Sequence, residues 1–236
     1  MAEKERINPM MRRPIVQEDI VHFLRTRQKQ TAGELGRVAS EAREKGVPII
    51  PHETAVFLEF FLKQIKPKNV LEIGAAIGFS SSLMANCLPE NSHVTTIDRY
   101  DMMIAAAKKT YERLNLQEKV TLLEGEAVDI LSTLPSDTYD FVFMDSAKSK
   151  YIVFLPDILR IMKRGAVLMV DDIFQAGDVL KDIQDIKRNQ RAIHRGLNQF
   201  FDAVIEHPQL TSTILPLGDG VILITKDDDE IILPKI

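Results

Sequence analysis

Val70-Leu71-Glu72-Ile73-Gly74-Ala75-Ala76-Ile77-Gly78-Phe79-Ser80-Ser81 reads as a short buried strand, a turn of small residues and the start of a helix. Val70, Leu71 and Ile73 suit a central parallel strand, which is apolar on both faces. Gly74, Ala75, Ala76 and Gly78 let a ligand come close to the backbone. Ser80, Ser81 and Ser82 are candidates to cap a helix whose first N–H groups face that ligand. The glycines do not follow the G-x-G-x-x-G spacing of dinucleotide enzymes, because Ala76 stands between Gly74 and Gly78. On this stretch alone, a strand–turn–helix unit in some other α/β protein remains open.

Bulk properties narrow the choices. The chain has 236 residues, 45% hydrophobic and 27% charged, which suits one globular domain with an N-terminal addition. No apolar run approaches the roughly 20 residues that span a bilayer, and no charged-then-apolar signal segment opens the sequence. The single cysteine, Cys87, excludes an intrachain disulfide and a cysteine-based zinc site. A cytoplasmic setting with no membrane partner is therefore expected. The net charge of −4 does not announce a nucleic-acid binder. The charge is unevenly spread, however. Lys187, Arg188, Arg191 and Arg195 lie in a segment, 187–199, without one acidic residue, and Arg12 and Arg13 sit in a basic N-terminal stretch. Each run by itself also reads as a solvated face.

Hydrophobic periodicity organises the chain. Residues 1–45 are expected to be an arm followed by two helices, the second over about 31–45, that pack on the core. Pro48 and Pro51 break the pattern, and a helix follows over 54–65. Strands are expected at 70–73, 93–97, 120–123, 141–144 and 166–170, alternating with helices. The last of these helices should cover about 178–205, interrupted near Gly196. Two final strands, 213–216 and 220–226, are joined by a tight turn at Leu217-Gly218-Asp219. The whole predicts an α/β domain over 46–236. It should be a mostly parallel, seven-stranded, Rossmann-like sheet with helices on both faces and an antiparallel strand at one edge.

In open α/β sheets ligands bind beyond the C-terminal ends of the strands. The first strand is followed by Gly74 to Gly78, and the second by Asp98, placed for ribose hydroxyls. After the third come Gly125, Glu126 and Ala127, suited to border a flat ring. After the fourth come Asp145, Lys148 and Tyr151, and after the fifth Asp171 and Asp172. Three carboxylates at one rim repel one another. A hard divalent cation such as Mg²⁺ resolves that, although Asp171 or Asp172 could instead cap a helix.

Together these motifs carry a resemblance. The Glu72, Gly74, Ala76, Gly78 spacing is similar to the first motif of class I S-adenosylmethionine-dependent methyltransferases. Leu71-Glu72-Ile73-Gly74, Asp145-x-x-Lys148-x-x-Tyr151 and Val170-Asp171-Asp172 resemble the cation-dependent O-methyltransferases of catechol and caffeoyl-CoA type. The resemblance implies a cofactor site of Glu72, Gly74, Ala76, Gly78, Ser80, Asp98, Glu126, Ala127 and Asp145. It implies a metal on Asp145, Asp171 and Asp172, with Lys148 as the general base and Asp145 beside it. Asp172 departs from the family's usual asparagine, which adds a charge. Within the family, 47–55 and 71–80 most resemble bacterial tRNA 5-hydroxyuridine methyltransferases. That subgroup implies a tRNA anticodon as partner, with Arg12, Arg13, Tyr151, Lys187, Arg188, Arg191 and Arg195 as contacts, and a homodimer. A small catechol-like or phenylpropanoid acceptor is the alternative. A non-catalytic binder of S-adenosylmethionine or tRNA is a third reading.

Overall fold

The computed structural model describes residues 17–234. The opening arm, with Arg12 and Arg13, lies outside the described residues. Three helices come first: α1 (Glu18–Arg27), α2 (Gly33–Glu44) and α3 (His52–Ile65). Strands and helices then alternate: β1 (Asn69–Ile73), α4 (Phe79–Cys87), β2 (His93–Asp98), α5 (Asp101–Leu114), β3 (Val120–Glu124) and α6 (Ala127–Thr133). They continue with β4 (Tyr139–Met144), α7 (Tyr151–Ile161), β5 (Met162–Val170), α8 (Arg191–Val204), β6 (Leu210–Leu215) and β7 (Val221–Lys226).

The strands form one seven-stranded sheet in the order β3-β2-β1-β4-β5-β7-β6. β1 to β5 are parallel, and β7 runs antiparallel to both β5 and β6. Antiparallel pairing is thus confined to one edge, as expected, with the reversed strand between β5 and β6. The hairpin turn closes through the Gly220 N–H, which donates to the Leu217 carbonyl at 2.7 Å.

The pleat divides the core. Leu71 and Ile73 of β1, Val142 and Met144 of β4, and Leu168 and Val170 of β5 join α6, α7 and α8 in one cluster. Val70, Phe141, Phe143 and Met169 face the opposite way and join α2, α3, α4 and α5 in another. This is the alternation a strand imposes. Among the described residues, no helix is long and apolar enough to cross a membrane.

One element departs from expectation. The stretch 178–190 is not helical throughout but holds two short 3₁₀ turns, Asp178–Leu180 and Arg188–Gln190, with α8 starting only at Arg191. Asp182 explains part of this, since its Oδ1 accepts the Gln184 N–H at 2.8 Å. Such a local side-chain bond competes with helix formation. Gly196, by contrast, does not interrupt α8, which runs unbroken through it. Its lack of a side chain serves packing, because a Cβ there would lie 2.9 Å from the Ser149 carbonyl oxygen. Helix propensity alone favours Ala over Gly by about 1 kcal/mol. The clash should reverse that sign, so Gly196→Ala is expected to lower stability by about 1–3 kcal/mol. Urea denaturation checks this, and an unchanged or higher midpoint would refute the packing role.

Candidate active site

The loop after β1 carries the cofactor-type cradle. Gly74 has φ 107° and Gly78 φ 78°, both left-handed. A Cβ on Gly74 would stand 2.1 Å from the Asp145 carbonyl oxygen, so only glycine fits between the ends of β1 and β4. The Gly74 and Ala75 N–H groups both donate to the Ile97 carbonyl, at 2.9 and 3.1 Å. Ala76, at φ 45°, donates its N–H to Asp98 Oδ2 at 2.9 Å. The other Asp98 oxygen accepts the Arg99 and Tyr100 N–H groups at 2.8 and 3.0 Å. Three backbone bonds therefore hold Asp98 at the mouth of the loop.

A cleft of about 680 Å³ opens above these strand ends. Gly74, Ala76, Ser80, Asp98, Glu126 and Ala127 all line it, and Asp145 closes one side. Gly78 and Glu72 lie elsewhere. Gly78 precedes α4 and makes room for the Tyr111 ring, which a Cβ would meet at 2.8 Å. α4 begins at Phe79, with no side-chain cap, so Ser80, Ser81 and Ser82 lie inside the helix rather than ahead of it. Glu72 shares the pleat face of Val70 and is fully buried beneath α4. One of its oxygens accepts the Thr96 hydroxyl, while the other has no hydrogen-bond partner.

Several wall residues lie outside the cofactor site that the sequence implies. Pro48, Ile49 and Ile50, a helix break in the sequence and part of the 47–55 stretch that carries the subgroup resemblance, line the cleft. Tyr100 and Met103 also line it. Arg99 makes a fork to Glu126, at 2.8 and 3.1 Å, and lies 4.7 Å over the Tyr100 ring. Glu53, in the first turn of α3, takes a bidentate fork from Arg25, 2.9 Å on each oxygen. Burial alone would raise its pKa, but the Arg25 guanidinium outweighs it and holds the carboxyl below its usual range.

The other rim holds the acidic set. Lys148 Nζ donates to Asp145 Oδ1 at 2.8 Å and lies 3.1 Å from Asp172 Oδ2. Burial opposes the ammonium charge, but Tyr151, Asp145 and Asp172 together raise the Lys148 pKa. In this arrangement Lys148 is a cation, not a free base. Asp171 is 1% exposed. Its Oδ1 accepts the Asp172 N–H at 2.8 Å, and its buried Oδ2 has no partner. Burial, then the charges of Asp145 and Asp172, push its carboxyl up to about 8. Among the described residues, no group of three His, Cys, Asp or Glu side chains is gathered closely enough to hold a metal ion. The donor chemistry nonetheless fits one. Asp145, Asp171 and Asp172 follow the ends of the neighbouring strands β4 and β5, and the buried Asp171 oxygen without a partner is what a hard cation would satisfy.

A second cavity, about 460 Å³, opens between the loop that follows β5 and the start of α8. Gln175, Val179, Lys187, Gln190, His194 and Asp219 contribute to its wall. Gln175 Nε2 donates to the Asp172 carbonyl at 2.8 Å, tying that wall to the acidic rim. Asp219, which the sequence offered only as a turn residue, accepts the Ala176 N–H at 2.8 Å.

Two expected substrate contacts are corrected. Tyr151 is fully buried, donating its O–H to the Asp171 carbonyl at 3.3 Å and accepting the Ser146 N–H at 3.2 Å. It props the rim from below. Arg191 turns inward, its guanidinium donating to the Ile186 and Gln184 carbonyls at 3.0 and 3.3 Å. Lys187, Arg188 and Arg195 are exposed.

This strand order, with a glycine cradle after the central strand and acidic groups after its neighbours, defines a class I, Rossmann-like methyltransferase fold. The O-methyltransferase TomG from Streptomyces achromogenes, whose structure was solved in complex with SAM, shares it. The TM-score is 0.77 at 24% identity, over 88% of this chain and 95% of that one. The chain belongs to the O-methyltransferase family, whose sequence model matches residues 26–227. Among curated relatives it is 28% identical to a catechol O-methyltransferase of Niastella koreensis, over 70% of this chain and 78% of that one. It is 27% identical to a Dictyostelium discoideum protein named "Probable caffeoyl-CoA O-methyltransferase 1", over 82% and 84%.

Glu72 offers a test of the cradle's electrostatics. Burial pushes its carboxyl up to about 7 from an ordinary value of 4.5. Between those values the folded protein holds a proton that the unfolded chain releases, so stability falls as pH rises. Glu72→Gln removes this slope. Thermal melts should therefore favour the variant increasingly from about pH 5 to about pH 7.5. A difference in Tm that does not change with pH would show that Glu72 is ionised throughout.

Proposed function

We propose that the protein transfers a methyl group from S-adenosylmethionine to a hydroxyl that has a second oxygen beside it, with a divalent cation on Asp145, Asp171 and Asp172. One observation carries this reading: the acidic rim is connected to two cavities. Asp145 lines the larger, and Asp172 is tied through Gln175 to the smaller. The donor then occupies the first cavity and the acceptor enters from the second.

In the larger cleft Gly74, Ala75 and Ala76 would hold the cofactor, with Asp98 binding its ribose hydroxyls and Glu126 and Ala127 its adenine. Tyr100, Met103 and Ile49 supply apolar walls that exclude water. A divalent cation, when bound, supplies Lewis acidity that lowers the pKa of the acceptor hydroxyl. Once out of its ion pair, Lys148 either gives its extra proton to solvent and as a neutral amine accepts the hydroxyl proton, or stays an ammonium and holds the oxyanion. The oxyanion lone pair forms the new O–CH₃ bond as the methyl–sulfur bond breaks and the sulfonium leaves as a neutral thioether. The protein's part is chiefly to align the two reactants.

The acceptor in this proposal is 5-hydroxyuridine at the tRNA wobble position, giving 5-methoxyuridine. Its 5-hydroxyl and 4-oxo groups form the required oxygen pair. Lys187 on the wall of the second cavity, with Arg188 and Arg195 exposed nearby, supports the reading as phosphate contacts. The likeness to a catechol O-methyltransferase favours a small catechol as the second reading. Labelled S-adenosylmethionine with Mg²⁺ separates the two when tRNA carrying 5-hydroxyuridine and a plain catechol are offered in parallel. Label in tRNA is expected, abolished by EDTA and reduced by about 10²-fold or more in Asp145→Ala. Label in catechol alone would overturn the tRNA acceptor.

The homodimer belongs to the same proposal, with α1 and α3 at the interface. Phe23 and Phe60, 59% and 62% exposed on those helices, support it. Sedimentation should give a dimer mass near neutral pH, and a monomer would remove this part.

A further inference from the structure

We propose that Lys148 is an internal competitor for the cation position: its ammonium group bridges Asp145 and Asp172 and must leave before a divalent cation can bind. This rests on the metal reading of the acidic rim. Two ion pairs carry the argument, 2.8 Å to Asp145 Oδ1 and 3.1 Å to Asp172 Oδ2. The two aspartates belong to the ends of different strands, β4 and β5. Among the described residues, Lys148 is the one cation paired with either. Its own place is firm, since it opens a 3₁₀ turn, Lys148–Lys150, that runs directly into α7. Its side chain is a flexible four-carbon stem and can swing while the backbone stays.

The third carboxylate shows what the bridge leaves undone. Asp171 Oδ2 is buried and has no partner, although Lys148 sits beside its neighbours. One ammonium group engages two of the three acids. A divalent cation can engage all three, but only by taking the oxygens that Lys148 holds. Cation entry and release of Lys148 are then a single exchange, and the released amine is free to meet the acceptor hydroxyl. The charge on Asp172 is central to this device. An asparagine at that position would offer Lys148 no ion pair, and the bridge would shrink to Asp145 alone.

The test is Mn²⁺ binding without cofactor or acceptor, followed through the paramagnetic resonance signal of the free ion. Lys148→Met is expected to bind Mn²⁺ about tenfold or more tightly than the wild type, because one positive charge at close range has been removed. Lys148→Arg keeps the charge and should stay within about threefold of the wild type. Without metal, Lys148→Met should melt below the wild type, and Mn²⁺ should close the gap. Equal or weaker Mn²⁺ binding by Lys148→Met, with wild-type binding intact and lost in Asp171→Asn, overturns the competitor role and leaves the metal site standing. Mn²⁺ binding that is absent from both the wild type and Lys148→Met, or indifferent to Asp171→Asn, overturns the metal reading and this proposal with it. If Lys148→Met does not fold, Lys148→Gln carries the same comparison.

Discussion

The register of four adjacent strands is the constraint on which the site depends. Ile97 pairs with Ile73, Ile73 with Met144, and Met144 with Val170. Each is the last or next-to-last residue of its strand. The residues that follow them, Asp98, Gly74, Asp145 and Asp171, therefore emerge side by side along one rim. Backbone bonds carry the ladder one step further. The N–H groups of Gly74, Asp145 and Asp171 donate to Ile97, Ile73 and Met144, at 2.9, 3.1 and 3.0 Å. A slip of one residue in any pair would turn a rim carboxylate into the core and expose an apolar side chain. The apolar packing on both faces thus fixes the geometry of the chemistry.

Concentrating acid at a buried rim has an electrostatic cost, and the protein meets it in different ways at different points. Asp98 spreads its charge over three backbone N–H groups, and Glu53 takes the Arg25 fork. Glu72 and Asp171 have less relief, one oxygen of each accepting the Thr96 hydroxyl and the Asp172 N–H respectively. Each keeps one buried oxygen without a partner, and burial raises the pKa of each well above its ordinary value. Buried polar atoms left unpartnered in this way usually answer to a ligand or a catalytic need. The two lie on either side of the Gly74–Asp145 contact, where the backbones of β1 and β4 come together.

What the sequence made legible follows from how local each signal is. Asp98, Asp145 and Asp171 were readable because each ends an apolar run, and a parallel sheet delivers such residues to one rim. Gly74 was readable as a close backbone approach. Gly78 was misread as part of the ligand surface, because nothing local distinguishes room for a ligand from room for Tyr111. Tyr151 was implied as a substrate contact by the subgroup resemblance. Its burial against Phe200, 6.1 Å between ring centroids, is a tertiary fact contributed by α8. The basic run 187–195 was readable as charge but not as structure. Arg191 is spent on carbonyls of the turn that precedes it, a use no charge count reveals. The place of Pro48 and Ile49 on the cleft wall was hidden, because they act from a loop with no period.

The position of Asp172 shows how conformation and charge can be separated at one residue. Its φ of 58° is left-handed, a region that aspartate and asparagine enter more readily than other side chains. The bend turns the chain from β5 into the loop that carries Gln175 and packs against the Gly220 and Asp219 carbonyls. Either residue would satisfy that backbone, so the fold does not choose between them. The choice rests on the Lys148 ammonium 3.1 Å away, which aspartate neutralises and asparagine does not. In an asparagine-bearing relative the same turn would stand with one charge fewer beside an otherwise identical set of donors. The difference between the two lies in the free energy of cations at the rim, and the rest of the fold is left untouched.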